Sequence, residues 1–253
     1  MAEEAVTADT LLKGRVRIYQ PARGARMSLD PVLLAGFLAP PYGRFLDIGC
    51  GAGPLSFLLL ARDPAATGAG VEIQPRLAAL AGRGRDDNGW SARWQVVEGD
   101  ARTAALPDAS FDLVATNPPY RTVESSPPSP DRERALAHHE IALRLGDWIA
   151  VAARVLRPGG RVGVILPAAR AGELSTRLAA AGLPPLRTRF VHPRAGELPS
   201  RVLVEARAAH PAEPVVESPL IVHEPDGSFT PQVRHMLGEP VVPAPRPPTT
   251  GGG

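Results

Sequence analysis

Apolar residues fall in short bursts divided by glycine, proline and charged punctuation. "RFLDIGC" at 44–50, "GAGVEI" at 68–73, "RWQVVEGD" at 93–100, "FDLVAT" at 111–116 and "RVGVILP" at 161–167 are strand-length runs. Between them lie longer stretches with helical spacing: "PLSFLLLARD" at 54–63, "PRLAALAGRGRDDN" at 75–88, "HHEIALRLGDWIAVAARVL" at 138–156 and "ARAGELSTRLAAAG" at 169–182. Pro54 stands near the first turn of its helix, and "RPGG" stops the helix at 138–156. "LRTRFVH" at 186–192 and "RVLVEAR" at 201–207 follow as two strands without a helix between them. Alternation of strands and helices predicts an α/β fold with a mostly parallel sheet covered on both faces. The closing strand pair predicts an antiparallel edge. Residues 1–14 read as a loose arm. "SSPPSPDRER" at 125–134 and "PVVPAPRPPTTGGG" at 240–253 read as a loop and a disordered tail.

Composition narrows the class. Of the 253 residues, 44% are hydrophobic, enough for a sizeable core. The longest strongly apolar run, "LSFLLLA" at 55–61, is far too short to span a bilayer. "MAEEAVTADT" is acidic and lacks the apolar stretch of a secretory signal, so a cytoplasmic location is expected. Cys50 is the single cysteine, which leaves no internal disulfide and no cysteine cluster for zinc. Its glycine-rich neighbours suggest a buried loop thiol, not a nucleophile. Net charge is only +2, and Lys13 is the only lysine. Arginine suits phosphate binding. The same composition fits a GC-rich genome, so bulk charge alone does not identify a nucleic-acid partner.

The chemistry begins at "DIGCGAG", 47–53, between a strand and a helix. Gly49, Gly51 and Gly53 let the backbone approach a ligand closely. Pro54 stands where a dinucleotide fingerprint requires its last glycine, which disfavours a pyrophosphate cradle. Glu72 ends the second strand, where a carboxylate can bind both ribose hydroxyls. Asp100 ends the third, where it can accept from an adenine amino group. Together they outline a nucleoside site at the carboxyl ends of adjacent strands. The combination resembles the S-adenosylmethionine site of class I methyltransferases.

The fourth strand ends in Asn117-Pro118-Pro119-Tyr120. Two prolines donate no hydrogen bonds and stiffen the chain. The Asn117 side-chain oxygen and the Pro118 carbonyl can then hold both hydrogens of a planar amine, with Tyr120 stacking on the base. A buried base must be extracted to reach such a pocket. The motif points to methylation of a planar amine or amide nitrogen. Adenine, guanine N2 and protein glutamine remain open as targets, as does a non-catalytic module that binds the cofactor and RNA. Only 43 residues precede the first of the α/β strands, too few for the helical docking domain usual in glutamine methyltransferases.

With these residues in place, the chain resembles the bacterial tRNA1(Val) adenine-N6 methyltransferases, which modify position 37 beside the anticodon. "RIYQPARGARMSLDPVLLAGFL" at 17–38, with Gln20 and Asp30, resembles that family's N-terminal signature. The likeness runs through "DIGCGAG", "VEIQP", "EGDA", "NPPY", "AHHE", "DWI", "RPGGR" and "ILPAAR" to "PLIVHEPDGSFTPQVRHML" at 219–237. It implies a class I, Rossmann-like fold with a seven-stranded, mostly parallel sheet and an antiparallel edge. It divides the chain into an N-terminal arm and cofactor-closing segment (1–40), a methyltransferase domain (41–238) and a Pro/Gly tail (239–253). S-adenosylmethionine is the implied cofactor and tRNA, or another structured RNA, the implied partner, with no metal. Asp30, Asp47, Gly49, Gly51, Gly53, Glu72, Asp100 and Asn117 are the implied cofactor residues. Residues 26–35 are implied to close over the methionine end, with Asp30 near it. Asn117, Pro118 and Tyr120 are the implied catalytic set. Arg121 directly after NPPY, and Leu29 and Pro31 around Asp30, depart from the family pattern.

Adjacent His138 and His139 point to different faces of a helix, so joint metal ligation is awkward. Trp148 reads as core. Arg23, Arg26, Arg121, Arg132 and Arg134 flank the expected site, each more simply a solvated arginine than a phosphate ligand. His223 with Asp226-Gly227 reads as a strand and turn.

Overall fold

The computed structural model describes residues 5–23, 26–118, 144–208 and 213–240. Its sheet is built from runs that the apolar pattern marks out. Strands β3 (Arg44–Ile48), β4 (Thr67–Glu72), β5 (Trp94–Glu98), β6 (Phe111–Thr116) and β7 (Leu156–Pro167) run parallel. Strands β8 (Pro185–Arg194) and β9 (Arg201–Arg207) close the edge, β9 lying antiparallel to both β7 and β8. Two short strands, β10 (Val215–Val216) and β11 (Leu220–His223), lie parallel to β8. The order is β10-β8-β9-β7-β6-β3-β4-β5, with β11 also paired to β8. The expected seven strands are all present, but among the described residues the sheet has nine. The two additions lie in a proline-interrupted stretch and are two and four residues long, too short to show alternation.

Each strand divides its side chains between two cores, as the period of two requires. Phe45, Leu113, Ala115, Ile165 and Leu203 face α1 (Asp30–Phe37) and α2 (Pro54–Arg62). Leu46, Ile48, Val114, Val164 and Val202 face α4 (Leu145–Val155) and α5 (Ala171–Ala180). Trp148 on α4 is fully buried, as its setting in the sequence suggests. Helix α3 (Pro75–Asp87) covers β4 and β5. The helix expected over 138–156 is described from Leu145, and His138, His139 and Glu140 lie outside the described residues. The turn expected at Asp226-Gly227 forms after β11, with Gly227 at φ 85°.

The N-terminus departs from the loose arm expected. Strands β1 (Val6–Leu11) and β2 (Val16–Pro21) form an antiparallel hairpin. β2 packs along α3, where Asn88 bonds the backbone of Arg17 and the Tyr19 hydroxyl donates to Asp87. Farther along, Tyr19 joins Ala52, Leu77 and Leu80 in a small cluster beside the glycine turn. At the other end of the chain, α6 (Pro231–Met236) is capped by Thr230 and presses Met236 onto Gly36 of α1.

Candidate active site

Sheet order fixes where a ligand can sit. The chain runs outward from β3 to β4 and β5, then returns to place β6 on the other side of β3. In an open α/β sheet this reversal leaves a crevice at the carboxyl ends of the two central strands. Ile48 pairs with Thr116 in register, and the Thr116 hydroxyl donates to the Ile48 carbonyl at 2.8 Å. Gly49 and Asn117 are the next residues on each strand. The glycine turn and the Asn-Pro end of β6 are therefore direct neighbours.

The turn itself requires its glycines. Gly49, Gly51 and Gly53 have φ of 72°, 56° and 90°, a region costly for residues with a Cβ. A Cβ on Gly53 would strike the Phe57 ring at 2.7 Å, whereas at Gly49 or Gly51 it would meet nothing within 4 Å. Those two glycines therefore leave open space over the turn. Glu72 braces the turn: its Oε2 accepts from Gly51 N at 2.9 Å, and its Oε1 from Gln74 N at 2.8 Å. Burial pushes the Glu72 carboxyl above its ordinary pKa. Asp47 lies deeper, 1% exposed, and its Oδ2 accepts from both Ser56 N (3.1 Å) and Ser56 Oγ (2.7 Å). Desolvation raises its pKa to about 7. Asp47 thus ties the start of α2 to β3 from beneath the turn. Cys50 is buried, and desolvation raises its pKa, so it has none of the character of a thiolate nucleophile.

Asp100 stands beside Glu72, since β4 and β5 pair Glu72 with Glu98 and Gly99 N donates to the Glu72 carbonyl at 2.9 Å. Hydrogen bonds from the Arg102 side chain hold the Asp100 carboxyl below its ordinary pKa. Ile73, directly after Glu72, is 42% exposed, a large apolar side chain left open at the mouth of the site. Neither Arg102 nor Ile73 was singled out in the sequence. The only signal was position, one or two residues past an acidic strand end.

Asn117 is half-buried and Pro118 is buried at the end of β6, while Tyr120, Arg121, Arg132 and Arg134 lie outside the described residues. Asp30 begins α1, is 6% exposed, and accepts from Arg201 Nε at 3.1 Å. Arg201 opens β9 opposite Pro167, the last residue of β7, so Asp30 too is at the carboxyl end of the sheet. Gln20 fastens the segment before it: its Oε1 accepts from Met27 N at 2.6 Å, and its Nε2 donates to Asp9 at 3.0 Å. Arg26, expected as a solvated arginine or a phosphate ligand, donates instead to Asp9, Thr7 and the Pro21 carbonyl. Arg23 is exposed. Among the described residues no cluster of His, Cys, Asp or Glu is arranged to hold a metal ion.

This fold, with a glycine turn opposite an Asn-Pro strand end, defines a class I S-adenosylmethionine-dependent methyltransferase. The chain belongs to the methyltransferase small domain family, whose model matches residues 29–173. A tRNA1(Val) (adenine(37)-N6)-methyltransferase of Porphyromonas gingivalis is 33% identical over 86% of this chain and 89% of its own. A crystal structure described as a predicted O-methyltransferase from Agrobacterium tumefaciens superposes with a TM-score of 0.68 at 29% identity, covering 82% of this chain and 94% of that one. A geranyl diphosphate C-methyltransferase from Streptomyces coelicolor, solved with S-adenosyl-L-homocysteine, shares the fold at 14% identity and a TM-score of 0.52, over 70% of this chain and 76% of its own. The residues present fit the cofactor: open glycines for close backbone approach, and two acidic strand ends beside an exposed apolar side chain. No helix among the described residues is long and apolar enough to cross a membrane.

Proposed function

We propose that this protein methylates N6 of an adenine in RNA, with tRNA position 37, beside the anticodon, as the target. The observation that carries the reading is the adjacency of Gly49 and Asn117 at the switch point, set by the Ile48–Thr116 register. In this reading Gly49, Gly51 and Gly53 form the floor of the cofactor site. Glu72 takes the ribose hydroxyls, Asp100 the adenine amino group, and Ile73 packs on the adenine face. Asp47 holds the turn, and Asp30 stands at the methionine end. S-adenosylmethionine, when bound, supplies a methyl group on a positively charged sulfur.

The remaining work belongs to Asn117, Pro118 and Tyr120. An exocyclic amine is a weak nucleophile because its lone pair is delocalised into the ring. The Asn117 side-chain oxygen and the Pro118 carbonyl accept its two hydrogens and turn the lone pair toward the methyl donor. Tyr120 stacks on the extracted base. Positioning and fixed dipoles lower the barrier, with no covalent enzyme intermediate. The nitrogen carries positive charge as the bond forms, which the same two acceptors stabilise until its proton leaves to water.

The A. tumefaciens description names an oxygen acceptor. An unactivated hydroxyl needs a base, and neither an asparagine amide nor a proline carbonyl takes a proton at neutral pH. The names of the tRNA-modifying relatives and the Asn117-Pro118 end agree on nitrogen instead. The test replaces Asn117 with Ala. Transfer to tRNA lacking the modification should fall by at least about 100-fold, while calorimetry shows near-unchanged binding of S-adenosylhomocysteine. Loss of both together would overturn the role given to Asn117.

A further inference from the structure

The reading above makes Asp100 the acceptor for the cofactor's adenine amino group. On that reading, we infer that Arg102 is a positioning residue that makes Asp100 selective for an amino group at that place.

A free carboxylate at a strand end rotates and offers four lone-pair sites in a fan. Asp100 is not free. Its Oδ1 accepts from the backbone N of Arg102 at 2.9 Å and from Arg102 Nε at 3.0 Å. Its Oδ2 lies 3.0 Å from the same Nε and 2.5 Å from Nη2. Three N–H donors from one residue thus make four contacts, two on each oxygen, with the Nε hydrogen shared between them. The fork also fixes the plane of the carboxylate, because a guanidinium is flat and its donors diverge at set angles.

The other end of Arg102 is held as well. Its Nη1 lies 3.6 Å from Asp147 Oδ2, in the first turn of α4. Asp147 is itself fixed by accepting from the Arg144 backbone N at 3.1 Å. Arg102 is thus stretched between β5 and α4, its donors turned toward two carboxylates. An unfastened arginine here would donate to a keto oxygen and so accept a 6-oxo purine. A fastened one has its donors on Asp100 and Asp147, so the group it presents to the ligand is the Asp100 carboxylate. That carboxylate attracts the hydrogen of a 6-amino group and repels a 6-oxo oxygen. Such selectivity is hard for apolar packing to supply, since the two rings have the same shape.

The test needs no catalysis. Calorimetry on the full chain without RNA compares S-adenosylhomocysteine with its deaminated analogue, S-inosylhomocysteine. The unaltered protein should prefer the amino ligand by about 100-fold. In Arg102→Ala the preference should fall below about tenfold, with most of the loss in the amino ligand's affinity. Arg102→Lys keeps the charge but not the fork, and should resemble Ala. The side chain is 46% exposed, so neither variant should unfold the protein, and Lys serves if Ala does. Wild-type affinity and preference in both variants would overturn the role of Arg102. Asp100→Asn separates the two layers. If it keeps the full preference, the reading of Asp100 fails; if it loses preference while the Arg102 variants keep it, only the present inference fails.

Discussion

Asp47 makes the anchoring of the glycine turn measurable through pH. Replacing it with Asn keeps an oxygen to accept from Ser56 N and Ser56 Oγ, and removes the ionisable proton. The carboxyl is buried and its pKa is about 7, against an ordinary value of 3.8. Between those values the native protein holds a proton that the unfolded chain has released. Stability therefore falls as pH rises through this window, and levels off above it. Each pH unit in the window is worth about 1.4 kcal/mol, so the whole gap corresponds to about 4 kcal/mol. Glu72 is also raised by burial, and its charge helps to raise Asp47, so the difference between the two proteins reports Asp47 together with its coupling to Glu72. Urea unfolding at pH 5 and pH 8 reads the effect. Relative to the unaltered protein, Asp47→Asn should gain about 3 kcal/mol of stability on going from pH 5 to pH 8. Parallel pH profiles for the two proteins would refute the reasoning, because they would mean that Asp47 is ionised and solvated in the fold.

Three further outcomes follow from the same geometry. Gly51→Ala should cost only about 1 kcal/mol in unfolding, since its positive φ is the sole strain. Its Cβ nevertheless enters the open space over the turn, so S-adenosylhomocysteine binding should be lost, and calorimetry paired with a melt separates the two. Glu72→Ala removes the proposed ribose ligand and the brace on Gly51 N, and should weaken S-adenosylhomocysteine by about 100-fold in the same titration. Trp148→Ala empties a fully buried site between α4 and the sheet, and should lower unfolding stability by about 3–5 kcal/mol in urea.

Much of this was legible because parallel strands covered on both faces read as continuous apolar runs. β3, β6 and the core of β7 stand out for that reason, and the glycine turn stands out because its conformation admits little else. The hairpin of β1 and β2 was not legible. Its four-residue turn passes through Leu12 at φ 50° and Lys13 at φ 58° before Gly14 at φ 87°, so the one turn-type residue is preceded by two that give no such signal, and β1 carries polar side chains over a half-buried face. β10 and β11 are too short, and too close to prolines, to show a period. The candidate site reads from the sequence as strand ends: position alone points to Glu72, Asp100 and Asn117, and the structure puts them at or just past the carboxyl ends of β4, β5 and β6. What the sequence hid was pairing at close range. Arg102 binds an acid two residues away, and Arg26 reaches Asp9 across the hairpin. No helical or strand period marks either contact.

The most direct measurement is mass spectrometry of nucleosides from tRNA that lacks the modification, treated with this protein and isotopically labelled S-adenosylmethionine. Labelled N6-methyladenosine, located at position 37, is expected from the unaltered protein, and at least about 100-fold less from Asn117→Ala. Label found only in N2-methylguanosine would contradict the adenine-N6 reading.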